Sequence, residues 1–184
     1  EDSARRLNAF MLADAENAGK RRNILTVPPL YTAGADFLEK LFENHKIQAE
    51  DKNKILDFVR SQREIAEKIL ENGSITDEMP VISREEFERH PTVLPLSGMF
   101  YGKDICLTYD EYFEHIRQTE RFMQIHENYI AEFTKVNAFR NLQILIHEGQ
   151  WAMISKGNAP AIHFVIHHPK LRSAIENFIP PVVE

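Results

Sequence analysis

Hydrophobic and polar positions alternate between Asn141 and Phe178 in the manner of β-strands. Three segments show this alternation: residues 142–147, 151–155 and 162–167. Turn residues at Glu148-Gly149 and Lys156-Gly157-Asn158 separate them. The pattern predicts three antiparallel strands, with Pro169 in the first turn of a closing helix. We expect this helix to pack across the apolar face of the sheet.

Apolar residues at helical spacing dominate the first part of the chain. The sequence predicts three helices there: residues 2 to about 22, 32–45 and 49–70. Pro28 and Pro29 separate the first two, because proline lacks the backbone donor that a helix interior needs. Lys20, Arg21 and Arg22 form a basic cluster. We interpret it as the solvated end of the first helix, where cations are favoured.

Prolines punctuate residues 74–95, which we predict to be a connector with one short helix at residues 84–89. Ser83 stands at the capping position of that short helix. Thr108 begins a second capping box and predicts a longer helix after it. Residues 129–134 alternate again and are a candidate fourth strand.

Together these patterns predict an α+β fold, in which N-terminal helices precede a small antiparallel sheet of three to four strands packed against helices. The chain has 184 residues, a length that allows one domain or two small ones. We place a boundary in the proline-rich connector. Residues 1–79 are then a helical region for self-association, and residues 80–184 are an α+β sensing domain.

Composition narrows the class of function. The chain has 22 basic and 28 acidic residues and a net charge of −6, so it lacks the positive field that favours nucleic acid. No apolar run approaches the roughly 20 residues of a membrane helix. A single cysteine, Cys106, excludes an internal disulfide and favours a cytoplasmic location. The start at Glu1, without methionine or a signal segment, is expected of a chain whose front has been removed.

Four of the eight histidines lie in or beside the predicted sheet: His147, His163, His167 and His168. His163 and His167 share a strand face but stand about 13 Å apart, too far to bind one metal ion together. One interpretation is that the histidines are polar residues on an open sheet face. Another is an anion-friendly pocket, in which His163 and His167 join Trp151, Lys156 and Arg140.

Aromatic residues of the helix after Thr108 are the remaining candidates for a site. Tyr109 and Tyr112 are expected to face the sheet and to enclose a cavity with Trp151, although core packing alone also explains such residues. The predicted ligand-binding residues are Trp151, His163, His167, Tyr109, Tyr112, Arg140 and Lys156.

Motifs for catalysis are missing from the sequence. Cys106 has no histidine at a motif spacing, and there is no Gly-x-Ser-x-Gly, Walker-type or Gly-x-Gly-x-x-Gly pattern. We therefore expect a protein that is not an enzyme and that holds no cofactor and no metal ion. A small enzyme or metal-binding protein that uses His147, His163, His167 and His168 stays as an alternative, as does an interaction module without a ligand.

The run AFRNLQILIHEGQWAMISKGNAPAIHFVIHHPKLRSAIENFIPP, with LTYDEYFEHIRQTERF upstream, resembles the C-terminal region of some helix-turn-helix transcriptional regulators of Gram-positive bacteria. The resemblance covers residues 94–181. It implies a domain that senses a small-molecule effector or a protein partner and forms a homodimer. DNA would then be bound only through a domain N-terminal to this chain. Our hypothesis is an effector-sensing and oligomerisation domain, with no membrane contact.

Overall fold

A six-stranded mixed sheet forms the centre of the protein. The computed structural model describes residues 2–94, 96, 104–135, 139, 142–156 and 161–179, with side chains from residue 5 onward. Its helices are α1 (Asp2–Asp14), α2 (Ala35–Asn44), α3 (Ala49–Asn72), α4 (Arg84–Arg89), α5 (Tyr109–Ile125) and α6 (Pro169–Phe178). Its strands are β1 (Gly19–Ile24), β2 (Gly73–Pro80), β3 (Val93–Leu94), β4 (Ile105–Cys106), β5 (Tyr129–Thr134), β6 (Gln143–His147), β7 (Trp151–Lys156) and β8 (Ile162–Ile166). A 3₁₀ turn spans Leu30–Thr32.

The sheet has a parallel half and an antiparallel half. Its strand order is β5-β2-β1-β6-β7-β8, and β3 pairs with β4 in a separate ribbon. The strands β5, β2 and β1 are parallel, and helices lie in the connections from β1 to β2 and from β2 to β5, since parallel neighbours need a long crossover. From β6 to β8 the chain forms an antiparallel meander, joined to β1 by antiparallel pairing.

The predicted small antiparallel sheet is therefore wrong, although the α+β class is right. The meander, its closing helix and the strand at residues 129–134 are confirmed, but β5 lies at the far edge beside β2. Residues 19–22, predicted to end a helix, belong to β1, and residues 74–80, predicted as connector, belong to β2. Both strands are rich in polar residues, so neither shows the alternation from which strands are predicted. The single sheet thus takes strands from both sides of the predicted boundary at residue 79.

Two glycines allow β1 and β2 to come together at their first residues. Gly19 pairs with Gly73 in the parallel register. A Cβ atom on Gly73 would stand 2.0 Å from the Gly19 carbonyl oxygen. Gly19 itself has φ of +146°, a conformation that favours glycine. The sharp turn from α1 into β1 and the tight start of the parallel pair both depend on these residues.

The main core lies on one side of the sheet, which we call the helical face and define by Ile75, Asp77 and Met79 of β2. Buried apolar residues of α2, α3 and α5 pack there against β2 and β5. The predicted helices at residues 49–70 and 84–89 and the one after Thr108 are confirmed, and Ser83 and Thr108 cap theirs. Of the helices in the described ranges, none has both the length and the apolar character needed to cross a membrane.

The opposite side of the sheet is covered by α6, and we call it the α6 face. Ile24, Ile144, Ile146 and Ala152 form its buried apolar layer, with Ile175 packed against them. The predicted packing of the last helix on the apolar face of the meander is confirmed. The two faces therefore have separate cores, and α1 lies apart from α6, on the helical face.

Candidate functional site

Strand β1 carries two polar side chains to the helical face of the sheet. Arg21 and Asn23 are two residues apart, so they share a face, while Arg22 and Ile24 share the other. Arg21 is 3% exposed. The predicted solvated basic cluster at a helix end is therefore wrong for Arg21, because the residue lies in a central strand beneath α1. A charge in this position needs partners.

Arg21 and Asp14 form a buried ion pair at the end of α1. The Arg21 Nη2 atom donates to Asp14 Oδ2 at 2.9 Å. The same nitrogen donates to the carbonyl oxygens of Asp14 and Asn17, at 2.8 Å and 3.0 Å. Removing one partner of a buried pair leaves the other charge uncompensated and typically costs about 3 kcal/mol or more. The last turn of α1 is thus fixed to β1 by charge.

His147, the last residue of β6, contacts the same carboxylate. Its Nδ1 atom lies 3.0 Å and 3.1 Å from the two Asp14 oxygens, and its Nε2 atom lies 3.3 Å from the carbonyl oxygen of Ala18. All of these neighbours are acceptors, so a doubly protonated ring donates to both sides while a neutral ring donates to one. The strand register places His147 beside Arg21 and Trp151. We call Asp14, Arg21, His147 and Trp151 the Asp14 cluster.

The Asp14 cluster contains buried donors that lack acceptors. Arg21 Nε, Arg21 Nη1 and Trp151 Nε1 are buried and have no hydrogen-bond partner among the described residues. Buried polar groups in proteins are almost always paired, with protein, ordered water or a ligand. Arginine presents its donors in a planar fork that matches carboxylate and phosphate oxygens. The cluster is therefore chemically suited to a compact acceptor with negative charge.

Electrostatic effects at Asp14 favour the carboxylate. Burial alone raises the pKa of Asp14, but Trp151, Arg21 and His147 outweigh it, so the pKa lies below its ordinary value. The Trp151 indole contributes as a polar neighbour, although its N–H does not reach hydrogen-bond geometry. An anion entering the cluster would compete with this carboxylate for the Arg21 guanidinium.

Access to the cluster is blocked by the turn between α1 and β1. The carbonyl groups of Asn17 and Ala18 in this turn contact Arg21 and His147, while the turn's outer side is exposed. No member of the cluster is more than 8% exposed. A ligand can reach the donors only if this turn and the end of α1 move. Binding and α1 displacement are therefore coupled by geometry.

A second group of buried polar residues surrounds Asp77 of β2, which pairs with Asn23 of β1 in the strand register. Asn23 Nδ2 donates to Asp77 Oδ1 at 2.7 Å, and the Tyr129 hydroxyl donates to Oδ2 at 2.8 Å. The Tyr31 hydroxyl donates to the same Oδ2 atom. Burial raises the pKa of Asp77 more than these hydrogen bonds lower it. Burial and the neighbouring Asp77 also raise the pKa of both tyrosines.

The polar atoms of the Asp77 group have hydrogen-bond partners, whereas several donors of the Asp14 cluster do not. Both carboxylate oxygens accept hydrogen bonds, and Asp77 is 0% exposed. These bonds join β1, β2, β5 and the 3₁₀ turn. We interpret the group as a structural network that holds the parallel half of the sheet together.

Four predicted ligand-binding residues lie on the meander. Trp151 is buried and packs edge-on against Phe10 of α1, with ring centroids 5.2 Å apart, and Phe10 also faces His167 at 6.4 Å. His163 Nδ1 lies 2.8 Å from the Ser155 hydroxyl, and burial lowers the pKa of His163. Lys156 ends β7 opposite Ile162. The structure thus brings Trp151 and His167 together through α1, with His163 further along β8.

The two predicted tyrosines lie elsewhere. Tyr109 and Tyr112 pack against Phe87 of α4, and the Tyr112 hydroxyl donates to the carbonyl oxygen of Pro80 at 2.8 Å. They belong to the core at the end of β2, on the other side of β1 from Trp151. Arg140 lies outside the described residues. The helix after Thr108 and the Trp151 region are therefore not brought together.

The four histidines of the alternative interpretation have different neighbours. His147 contacts Asp14, His163 contacts Ser155, His167 faces Phe10, and His168 precedes α6 as an exposed capping residue. Within the described ranges, no group of three or more histidine, cysteine, aspartate or glutamate residues is arranged to hold a metal ion.

Sequence reasoning missed Asp14 and Arg21, which carry the site. The signal available was the alternation in GKRRNI. In a strand, Arg21 and Asn23 of this segment share one face, and Arg22 and Ile24 share the other. The partners of the buried arginine, however, come from the end of α1 and the turn after it, and the histidine that shares Asp14 comes from β6, more than a hundred residues away. No local pattern connects these positions.

The chain was compared with protein-family models, with curated proteins and with solved structures, and none of the three comparisons found a match.

Proposed function

We propose that this chain is the effector-sensing and oligomerisation domain of a bacterial transcriptional regulator, acting in the cytoplasm as a homodimer. DNA reading would belong to a separate domain, since the net charge of −6 does not favour nucleic acid. The resemblance of residues 94–181 to the C-terminal regions of helix-turn-helix regulators supports this class of function. The donor groups of the Asp14 cluster indicate the chemical class of the effector.

The observation that carries the proposal is the surplus of buried donors beneath α1. Arg21 and Trp151 together present three buried donor nitrogens without a partner among the described residues. The effector is accordingly a compact anion with carboxylate or phosphate oxygens. It binds by taking over the Arg21 guanidinium from Asp14.

Signal output follows from the position of the cluster under α1. An anion that pairs with Arg21 leaves Asp14 in contact with His147 alone, and it must displace the turn that holds Asn17 and Ala18 over the site. The bound state is then one in which α1 is released, and the free state one in which it is held. Release of α1 would change the placement of any domain attached to it.

The proposal is tested by fluorescence, because Trp151 is the single tryptophan of the chain and belongs to the cluster. Wild-type protein is titrated with acetate and with inorganic phosphate at constant ionic strength, with chloride as a non-specific reference. We expect a saturable change in Trp151 emission with one of the two probes. Arg21→Lys keeps the charge but loses the planar fork, so binding should weaken more than about tenfold.

The matched control is Arg117→Lys on α5, a surface arginine whose side chain is 56% exposed. This variant should titrate like the wild type. Absence of saturable change with either probe, or equal affinities of wild type and Arg21→Lys, would contradict the anion-sensing function.

The small-enzyme and metal-protein alternatives draw no specific support from the described residues. Their four candidate histidines have different neighbours, since His147 contacts Asp14 and His163 contacts Ser155, while His167 and His168 are exposed.

A further inference from the structure

Strand β8 ends the sheet with apolar side chains in contact with solvent. It is the last strand in the order, so one side of its backbone has no neighbouring strand among the described residues. Ile162, Phe164 and Val165 are 41%, 63% and 37% exposed. Strands at sheet edges normally carry charges, prolines or bulges that prevent pairing with another chain. The sequence of β8, IHFVI, contains no lysine, arginine, aspartate, glutamate or proline.

Helix α6 leaves apolar side chains exposed beside the residue that it packs on the sheet. Ile175 packs against the sheet. Leu171 and Phe178, one turn before and one turn after Ile175, are 58% and 74% exposed, and Ala174 between them is also exposed. Their spacing of three and four residues places them in one stripe. A small residue at the centre of such a stripe lets another helix approach closely.

The two exposed apolar regions lie on the same side of the sheet. Phe164 pairs with Ile154 and Ile166 pairs with Ala152 in the β7–β8 register. Because directly paired residues share a face, Ile162, Phe164 and Ile166 project on the α6 face. We call Ile162, Phe164, Ile166, Leu171 and Phe178 the β8–α6 surface.

We propose that a second copy of this chain covers the β8–α6 surface, with β8 pairing antiparallel to β8 of the partner about a two-fold axis at Phe164. This inference deepens the homodimer part of the proposed function and rests on it. The paired strands would extend two six-stranded sheets into one continuous sheet. The exposed apolar side chains of the two α6 helices would then add to the same interface.

Self-complementarity favours a second copy over an unrelated partner. A two-fold axis at Phe164 sets Phe164 against its own copy and Ile162 against Ile166, so every pair on the α6 face is apolar. His163 faces Val165 on the other side. Because β8 contains no aspartate, glutamate, lysine or arginine, pairing two copies of it brings no like charges together, although the chain as a whole has a net charge of −6.

The apolar character of the surface suits a dimer. Phe164 and Phe178 are 63% and 74% exposed, so burying these aromatic side chains would remove on the order of 100–150 Å² each from solvent. Three aliphatic side chains and the paired backbone add to them. A standard interface buries about 800 Å² on each partner, and homodimer interfaces are the more apolar kind.

The opposite edge of the sheet supplies a matched control. Strand β5 also ends the sheet, and its Ile130 is 49% exposed, close to the exposure of the β8 residues. This strand, however, contains Glu132, and a charged side chain is one of the features that disfavour pairing between sheet edges. We therefore expect substitution at Ile130 to leave association unchanged.

The first test measures mass by light scattering and sedimentation equilibrium across a range of concentrations. Wild type and Ile130→Asp should be dimers, and Phe164→Asp should dissociate with a dimer constant weakened more than about tenfold. Phe178→Asp on α6 should act in the same direction. Circular dichroism checks that each variant is folded, and the exposure of both phenylalanines makes loss of the fold unexpected.

A second test reports the geometry and does not depend on destabilising a variant. In a Cys106→Ser background, which removes the exposed native thiol, Phe164→Cys should form an intermolecular disulfide under mild oxidation. Directly paired residues have Cα atoms about 4.5–5.5 Å apart, within the span of a disulfide. The control Ile130→Cys in the same background should stay monomeric on a denaturing gel.

The inference is overturned by a wild type that is monomeric at all concentrations, by a dimer that Phe164→Asp and Phe178→Asp leave intact, or by equal crosslinking at positions 164 and 130. A monomer whose mass changes to a dimer only when residues 180–184 are deleted would show the chain's own tail as the occupant, and this also overturns it. The Trp151 titration is independent of mass, so anion sensing can survive the failure of this interface.

Discussion

Asp14 and Asp77 are buried carboxylates on the same sheet face, yet their surroundings shift their pKa values in opposite directions. Asp14 pairs with Arg21 and His147, so its pKa lies below the ordinary value and its contribution to stability is lost as pH falls. Asp77 receives only neutral donors. Its pKa is raised, so its contribution is complete below about pH 4 and is lost as pH rises through the folded-state pKa.

The raised pKa of Asp77 predicts how Asp77→Asn behaves. The amide keeps an acceptor for the tyrosines, and Asn23 can turn its own amide to match, so the cost should stay below about 2 kcal/mol. Because Asn does not ionise, the difference in unfolding free energy between wild type and variant should shrink as pH rises from about 3.5 to about 7, a range that begins just below the ordinary aspartate pKa. Urea unfolding at both ends of this range measures it.

Asp77→Ala is the companion variant. It leaves the Asn23 amide and two tyrosine hydroxyls without their acceptor, and we expect a cost of about 3–5 kcal/mol near pH 3.5 that falls with rising pH by the same amount as for Asp77→Asn. A difference for Asp77→Asn that grows with pH would show that the site favours the ionised carboxylate and would refute a raised pKa at Asp77.

The sequence did not reveal either carboxylate as a partner in a buried network. Arg21 was interpreted as solvated because three consecutive basic residues are usually exposed at a helix end. Its burial depends on Asp14 and on His147, which only the sheet register brings beside it. Residue type and local spacing did not predict this compensation, because Asp14 faces Arg21 only once the chain reverses from α1 into β1, and His147 is distant in sequence.

At the scale of elements, the start of the parallel pair β1–β2 is the most constrained backbone contact. Gly73→Ala would place a Cβ atom 2.0 Å from the Gly19 carbonyl oxygen, and backbone cannot yield as a side chain does. We expect a loss of about 2–4 kcal/mol in urea unfolding. Gly34→Ala is the control, since its Cβ would meet only the flexible Gln118 side-chain oxygen, at 2.7 Å, and should cost less than about 1 kcal/mol. Equal costs would show that the β1–β2 contact is not tight.

Elements with a clear apolar period were predictable, and those without one were not. The meander from β6 to β8, the helix α3 and the capped helices α4 and α5 follow directly from alternation, helical spacing and capping residues. The strands β1 and β2 contain polar residues at buried positions, such as Asp77, which contradict the usual pattern of a central strand. Their strand state is imposed by pairing and by the polar networks on the helical face.

At the scale of the whole molecule, the two sheet faces have different tasks in our proposal. The helical face holds the Asp14 cluster beneath α1, and the α6 face carries the surface for a second copy. Strand pairing about a two-fold axis keeps corresponding faces on one side, so both α1 helices of a dimer would lie on the same side of the extended sheet. Trp151, which contacts α1, is one strand from the β8 edge. Release of α1 would therefore act close to the dimer axis.

The sequence predicted a sensing domain and a homodimer, but it assigned each to a part of the chain different from the one used in the proposed mechanism. Self-association was assigned to residues 1–79, whereas the exposed apolar surface lies on β8 and α6. Sequence periodicity detects which positions are apolar but not whether a neighbouring strand covers them. Edge position is a property of the whole sheet, so β8 could not be recognised as an edge before its order was known.

The central claim is that the Asp14 pair holds α1 on the sheet over a donor-rich site. Hydrogen–deuterium exchange of residues 2–18 tests it most directly, in wild type, in Asp14→Asn and in Glu16→Gln, which removes an exposed charge from the same turn. We predict exchange in α1 at least about tenfold faster in Asp14→Asn, because about 1.4 kcal/mol of local stability or more is lost. Residues 143–156 should be unchanged, and Glu16→Gln should match wild type. Exchange in α1 that is the same in all three proteins would contradict the claim.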